Sequence, residues 1–369
     1  MDFIPINLPW VGEEELALVK ERILSHILTN ANYEGGEMVR RFEEALSKVT
    51  GSRFVVAVNS GSSAILISLL ALDVGPGDEV IVPSFTFLSV ANMVLLLGAK
   101  PVFADIRLED YGLDPRDVKE KMSDKTKAVI LTHLYGHVAR IEEILEIAED
   151  RGVEVIEDSA QALGTTLKGR QVGCFGAMGC FSTYPTKIIT TGEGGFITTN
   201  REELAEKARL IRTHGQREAY RSEVLGGNFR LPEILAAIGV AQLERLPEIL
   251  RLRRRNAEIL TGLLEDTDLI LPREGEGERF NWNLYTVRVR KGDRDGIVEG
   301  LRRRDIGASI YYKYPIHLSP IYQDRGYKVS LPRTELASKT VFSLPIHPLV
   351  TEEQIHYISD TLHSLLGKG

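Results

Sequence analysis

An α/β fold is predicted: a large domain with a mostly parallel seven-stranded sheet between helices, then a smaller α+β domain. Three features of the chain predict it. Short β-branched runs alternate with amphipathic helical patterns through the first two thirds. The 369 residues, 43% of them hydrophobic, exceed the length at which a single core usually stops growing. Past Ala241 the texture changes to a long charged helical pattern and a Gly- and Glu-rich loop, so domains of 1–245 and 246–369 are expected.

The β-branched runs predict strands over 54–58, 79–82, 102–104, 128–132, 153–156, 180–182 and 195–199. Helical patterns lie between most of them. In the segment 37–49, Val39, Phe42, Leu46 and Val49 recur at helical spacing while Arg40, Glu43, Glu44 and Lys48 fall elsewhere, which predicts a surface helix. Such alternation argues for a sheet covered on both faces, with ligands beyond the carboxyl ends of its strands. The second domain is expected to hold a charged helix over 244–264, the loop 272–278, a strand over 285–289, a helix over 295–304, a Tyr- and Pro-rich stretch over 311–322 and a closing helix over 351–366.

The formal net charge of −7 argues against a polyanion partner, because nucleic-acid binding is dominated by neutralisation of phosphates. The basic run Arg251-Leu252-Arg253-Arg254-Arg255 is mixed with Glu248 and Glu258 and is expected to be a solvated helix face. The opening residues lack a basic segment followed by an apolar core, and no apolar stretch approaches the ~20 residues a membrane span requires, so a cytoplasmic protein is expected. The two cysteines, Cys174 and Cys180, match no metal-site spacing; thiols without ligand roles, and no metal, are expected.

Four segments at predicted strand ends carry candidate chemistry suited to a phosphorylated pyridine aldehyde. Asn59-Ser60-Gly61-Ser62-Ser63 opens an apolar helix, where free N–H groups and hydroxyls make either a phosphate site or a simple helix cap. Glu157-Asp158-Ser159-Ala160-Gln161 offers a carboxylate, Asp158, either to a pyridine nitrogen or to an acidic helix cap, with Gln161 in reach of the ring hydroxyl. Lys187, on a Pro-broken loop between Ser182 and the glycines of Thr191-Gly192-Glu193-Gly194-Gly195, could form an imine with the aldehyde if burial lowers its pKa. In Pro83-Ser84-Phe85-Thr86-Phe87 an aromatic could stack on the ring, or both phenylalanines could belong to the core. No GxGxxG follows the first strand, and GxxxxGK[ST], GxSxG and HExxH are absent.

Together with Gly75-Pro76-Gly77-Asp78-Glu79-Val80, His133-Leu134-Tyr135-Gly136, Tyr184-Pro185-Thr186-Lys187, Gly227-Asn228-Phe229-Arg230 and Leu344-Pro345-Ile346-His347-Pro348, these segments resemble the DegT/DnrJ/EryC1/StrS family, nucleotide-sugar aminotransferases of fold type I. The likeness runs from Leu8 to about Leu349. It implies pyridoxal 5'-phosphate as cofactor, Lys187 as its Schiff-base lysine, Asp158 against the pyridinium nitrogen, Gln161 on the ring hydroxyl and Phe87 as the stacking aromatic. Gly61, Ser62 and Ser182 resemble the phosphate cradle, and Asn228 resembles a residue that reaches the neighbouring subunit's cofactor, implying a homodimer with shared sites. Ser62 stands where Thr is usual, keeping the hydroxyl, and Ile188 where Asn is frequent.

The resemblance further implies transfer of an amino group from an amino acid, glutamate by analogy, to a keto group of a nucleotide-linked sugar, with 2-oxoglutarate released, in amino-sugar and surface-polysaccharide synthesis. Two rivals are a cofactor-dependent sugar dehydratase, in whose pyridoxamine-dependent type histidine typically replaces the lysine, and a regulatory relative, for which an added DNA-binding or signalling segment would be expected. His133-Leu134-Tyr135-Gly136 and Tyr184-Pro185-Thr186-Lys187 resemble enzymes acting at sugar carbon 3, and Thr191-Gly192-Glu193-Gly194-Gly195 those acting at carbon 4, toward which the reading leans slightly.

Overall fold

The computed structural model describes residues 2–367. Met1, Lys368 and Gly369, at the ends of the two expected domains, lie outside them. The large sheet is built from β1 (Phe54–Val58), β2 (Glu79–Pro83), β3 (Lys100–Ala104), β4 (Thr126–Thr132), β5 (Glu154–Asp158), β6 (Met178–Ser182) and β7 (Gly195–Thr199), in the order β1-β7-β6-β5-β4-β2-β3. Parallel pairs join β2 to β3 and β4, β4 to β5, and β5 to β6. β7 runs antiparallel to both β6 and β1. The connection 183–194 holds no helix and returns directly, so the strand it feeds has to run the other way. The register pairs Ser182 and Val58 each with Gly195, which brings the ends of β1 and β6 to one rim of the sheet.

Both sheet faces are buried, as a mostly parallel sheet requires. Val56 and Val58 pack on the side of the Gly61–Ala71 and Glu202–Arg212 helices, whereas Val55 and Ala57 pack with Phe42 and Leu46 of the Glu37–Thr50 helix. That helix departs from expectation at two residues. Val49 is exposed, and Glu43, expected on the polar face, is buried. β1 is an edge strand, so its Ala57 N–H needs an acceptor; Glu43 Oε1 accepts it at 2.8 Å and is held in turn by the buried Arg212 at 2.7 Å.

The expected helix over 244–264 in fact spans Glu233–Leu264, so the expected division at 245/246 falls inside it. Its first turns carry Ala236, Ala237, Val240 and Ala241, all buried, and the charged pattern starts only where the helix reaches the surface. It packs on the Glu13–Leu24 and Glu37–Thr50 helices and then on Glu352–Leu365. Past it, Leu269–Ile270, Tyr285–Val289 and Val341–Leu344 form a small antiparallel sheet, flanked by the Arg294–Arg302 helix. A bridge from Ile4 to Ile306 ties the chain start to this half.

The basic run is not wholly a solvated face. Arg251 pairs with Glu248 at the surface, but Arg253 is 2% exposed and donates to the Trp282 and Asn283 carbonyls and to Asn7 Oδ1. Those carbonyls lie in an irregular segment with no ladder to satisfy them, and the guanidinium does so. No helix among the described residues is long and apolar enough to cross a membrane. Cys174 and Cys180 are buried free thiols.

Candidate active site

A cavity of about 1060 Å³ opens at the carboxyl ends of β1, β2, β4, β5 and β6. It takes Gly61 and Ser62, Phe87, Asp158 and Gln161, Ser182 and Lys187 into one wall, so seven of the eight residues singled out in the sequence meet there. The eighth, Asn228, does not. It is exposed and outside this cavity, its carbonyl accepting from Asn59 Nδ2 and its backbone bridged to Thr213.

The start of the Gly61–Ala71 helix serves both roles considered for it. Ser60 is the N-cap, accepting the Ser63 N–H at 3.0 Å. The N–H groups of Gly61 and Ser62 and the Ser62 hydroxyl have no partner among the described residues, and they point where an anion would gain from the helix dipole. Close approach depends on glycine here. A Cβ on Gly61 would lie 2.9 Å from the Ser182 Cβ, and one on Gly195 would lie 2.7 Å from the Gly61 nitrogen. These donors fit a phosphate.

Asp158 closes β5 and is not a helix cap, since turns follow it. One oxygen accepts the Ala160 N–H at 3.1 Å; the other has, among the described residues, only the Thr132 hydroxyl at 3.4 Å, a weak contact that leaves it available to a stronger donor. Burial pushes its carboxyl up from the ordinary value, against the Ala160 N–H and the charge of Lys187. The Lys187 amine is pulled down from 10.5 to about 8 by burial, opposed by the charge of Asp158. A buried carboxylate facing an amine that sheds its proton near neutrality suits a pyridinium ring between them. The pair fits a phosphorylated pyridine aldehyde. The loop under Lys187 is fixed by the Thr183 and Thr191 hydroxyls, 2.6 Å apart, and by the Lys187 N–H donating to the Tyr184 carbonyl at 2.9 Å.

Phe85 and Phe87 divide the two readings of their segment. Phe85 is fully buried against Tyr111, Tyr135 and Tyr312, while Phe87 is 55% exposed on the cavity wall, a ring face open to a ligand.

The sequence reading missed the opposite wall. Tyr311, Tyr312, Lys313 and Tyr314, with Asn283 and Leu284, face the strand ends from the C-terminal half. Gln161 links the walls: its Oε1 accepts the Tyr135 N–H at 2.7 Å and its Nε2 donates to the Tyr312 hydroxyl at 3.0 Å. Behind β5, Glu157 accepts from His133 Nε2 at 2.9 Å and from the Gly173, Phe175 and Gly176 amides. Burial opposes ionisation there, yet His133 and these amides hold the Glu157 carboxyl below its ordinary value. The Tyr- and Pro-rich stretch was visible as composition, but it has no residue spacing that names a ligand.

Residues 13–363 match the family model described as the DegT/DnrJ/EryC1/StrS aminotransferase family. Among curated relatives, the chain is 39% identical over 346 residues to the pleiotropic regulatory protein of Geobacillus stearothermophilus, covering 92% of each. It is 36% identical to the UDP-N-acetyl-3-dehydro-alpha-D-glucosamine 3-aminotransferase of Acidithiobacillus ferrooxidans, covering 93% of this chain and 92% of the relative. Among solved structures it superposes on Spr1654 of Streptococcus pneumoniae, in its PLP form, with a TM-score of 0.94 at 26% identity over 99% of each chain.

Proposed function

The chain belongs to the DegT/DnrJ/EryC1/StrS aminotransferase family, sugar aminotransferases that use pyridoxal phosphate, and on that premise we propose that it moves an amino group from glutamate to the keto group of a nucleotide-linked sugar. The observation that carries the reading is Lys187 and Asp158 on one cavity wall, beside a helix start whose donors fit a phosphate. When bound, pyridoxal phosphate supplies a carbonyl that captures amines and a ring that takes up charge developing at the amine-bearing carbon.

The chain's own residues do the rest. Gly61, Ser62 and Ser182 would bind the phosphate, Phe87 would cover the ring, and Asp158 would hold the proton on the ring nitrogen. Lys187 would be the covalent anchor, and its free amine would be the base that moves the proton from the donor's Cα. An amine lowered to about 8 keeps a neutral fraction at neutral pH and can both take and return that proton. Asn228 reaches the phosphate of the partner subunit across a two-fold axis; its exposure outside its own chain's cavity supports this.

The Acidithiobacillus relative aminates carbon 3 of a UDP-linked sugar, and with the two motifs that resemble such enzymes it outweighs the slight lean to carbon 4. A UDP-linked 3-keto sugar is therefore the first substrate to try. Purified chain, glutamate and a panel of UDP-, GDP- and dTDP-linked 3- and 4-keto sugars should give one amino sugar with stoichiometric 2-oxoglutarate. Cofactor binding with no product from any sugar would overturn the catalytic reading and favour the regulatory role that the Geobacillus relative's name carries.

A further inference from the structure

We infer that the Tyr312 hydroxyl donates a hydrogen bond to the ring hydroxyl oxygen of bound pyridoxal phosphate, beside the Gln161 amide, and so sets the protonation of the cofactor. The inference rests on the reading above, in which Lys187 anchors the cofactor. It starts from the Gln161 side chain. The Tyr135 N–H is a buried donor and needs an acceptor, so the Gln161 oxygen must face it, at 2.7 Å. The amide orientation is thereby fixed, and the nitrogen faces Tyr312. At 3.0 Å the Tyr312 oxygen can therefore only accept from Gln161. Its own proton is left with no acceptor among the described residues, in a ring that lines the cavity.

The ring cannot easily turn away. Phe85 meets it edge to face with centroids 6.2 Å apart, and Phe85 is itself locked against Tyr111 and Tyr135. A hydroxyl held this way keeps an unspent donor aimed into the cavity, and such a group is costly until a ligand accepts from it. Gln161 keeps a second amide N–H as well. Two donors whose heavy atoms lie 3.0 Å apart can share one acceptor oxygen, and an oxygen that receives both is favoured as the anion. Lys313 and Tyr314, in the same lining, are exposed.

The titratable groups around Tyr312 are Asp158, Tyr311 and Tyr135. None is a cation. Burial raises the Tyr312 phenol above its ordinary value and the Asp158 charge adds to this, so the hydroxyl stays protonated and remains a donor throughout the working range.

The test is a pH titration of the visible cofactor band in substrate-free enzyme, wild type against Tyr312→Phe, with cofactor affinity measured by equilibrium dialysis. Donors to the ring oxygen draw off negative charge that would otherwise hold the proton on the neighbouring Lys187 nitrogen. Their loss lets that proton stay on to higher pH. Tyr312→Phe should therefore raise the band midpoint by about one unit and weaken cofactor binding about tenfold. Gln161→Ala, which removes one donor and frees the other, should move the midpoint the same way. An unchanged midpoint and affinity with a raised KM for the sugar would overturn the inference and assign Tyr312 to the substrate. A wild-type chain that binds pyridoxal phosphate without a visible band would instead overturn the anchoring by Lys187.

Discussion

The two walls of the cavity are built by different rules. One comes from strand ends of a single sheet, where backbone register fixes each side chain: Gly61 after β1, Phe87 after β2, Asp158 at the end of β5, Ser182 at the end of β6. The other comes from 283–284 and 310–314, segments of irregular backbone held by scattered contacts such as Arg253 on the Asn283 carbonyl and the Leu284 N–H on the Tyr135 carbonyl. Rigid strand ends suit a cofactor that is the same in every turnover. Irregular segments can change with the substrate, because loops carried on a rigid scaffold tolerate change best.

The contrast predicts large effects on the first wall and graded ones on the second. Lys187→Ala should remove turnover by at least on the order of 10³-fold, and borohydride should no longer fix the cofactor to the chain. Peptide mapping of the reduced wild type checks it; an adduct on another lysine would break the assignment. Because the Lys187 amine titrates near about 8, it is neutral above that pH and protonated below it. Capture of pyridoxal phosphate by cofactor-free chain should then speed up as pH rises through about 8, not 10.5.

Asp158→Asn should keep the cofactor and lose turnover by roughly 10²-fold, since an anion beside a cation shifts its pKa by 1–3 units. Near-normal turnover in steady-state assays would assign the ring nitrogen to another group. Asn228→Ala should weaken cofactor binding by about tenfold. At limiting cofactor, mixing it with Lys187→Ala subunits should raise activity above either parent; mixed dimers with no such gain would put both residues in one chain's site. The smallest effect is expected on the second wall. Lys313, paired with Asp295 at 3.2 Å in the open, should change KM for the sugar only a few-fold on conversion to alanine, leaving the cofactor spectrum intact.

How much of this was legible follows the same division. The order of strands and helices showed in hydrophobic spacing, and the cofactor wall showed because strand-end positions recur at short, recognisable spacings. Glu43 and Arg253 were misplaced because hydropathy reads charge as exposure, whereas each is buried to satisfy a backbone group of another element, 14 and 29 positions on. The start of the long helix was missed because residues 233–243 are too uniformly apolar to show a periodic face. Tyr312 was overlooked since its meaning lies in a contact with Gln161, 151 positions earlier in the chain, which no local pattern encodes.

The buried carboxylate of Glu233 accepts the N–H groups of Met38 and Val39 at the head of the Glu37–Thr50 helix, while β1 pairs along its length with residues 195–199. During synthesis, then, this helix waits for its cap until nearly two hundred further residues have been added. At roughly 5–20 residues per second that interval is on the order of ten seconds or more. Throughout it Phe42 and Leu46 have Val55 and Ala57 to pack on but not Phe196, Ala236 or Ala237, so this part of the core stays half-covered.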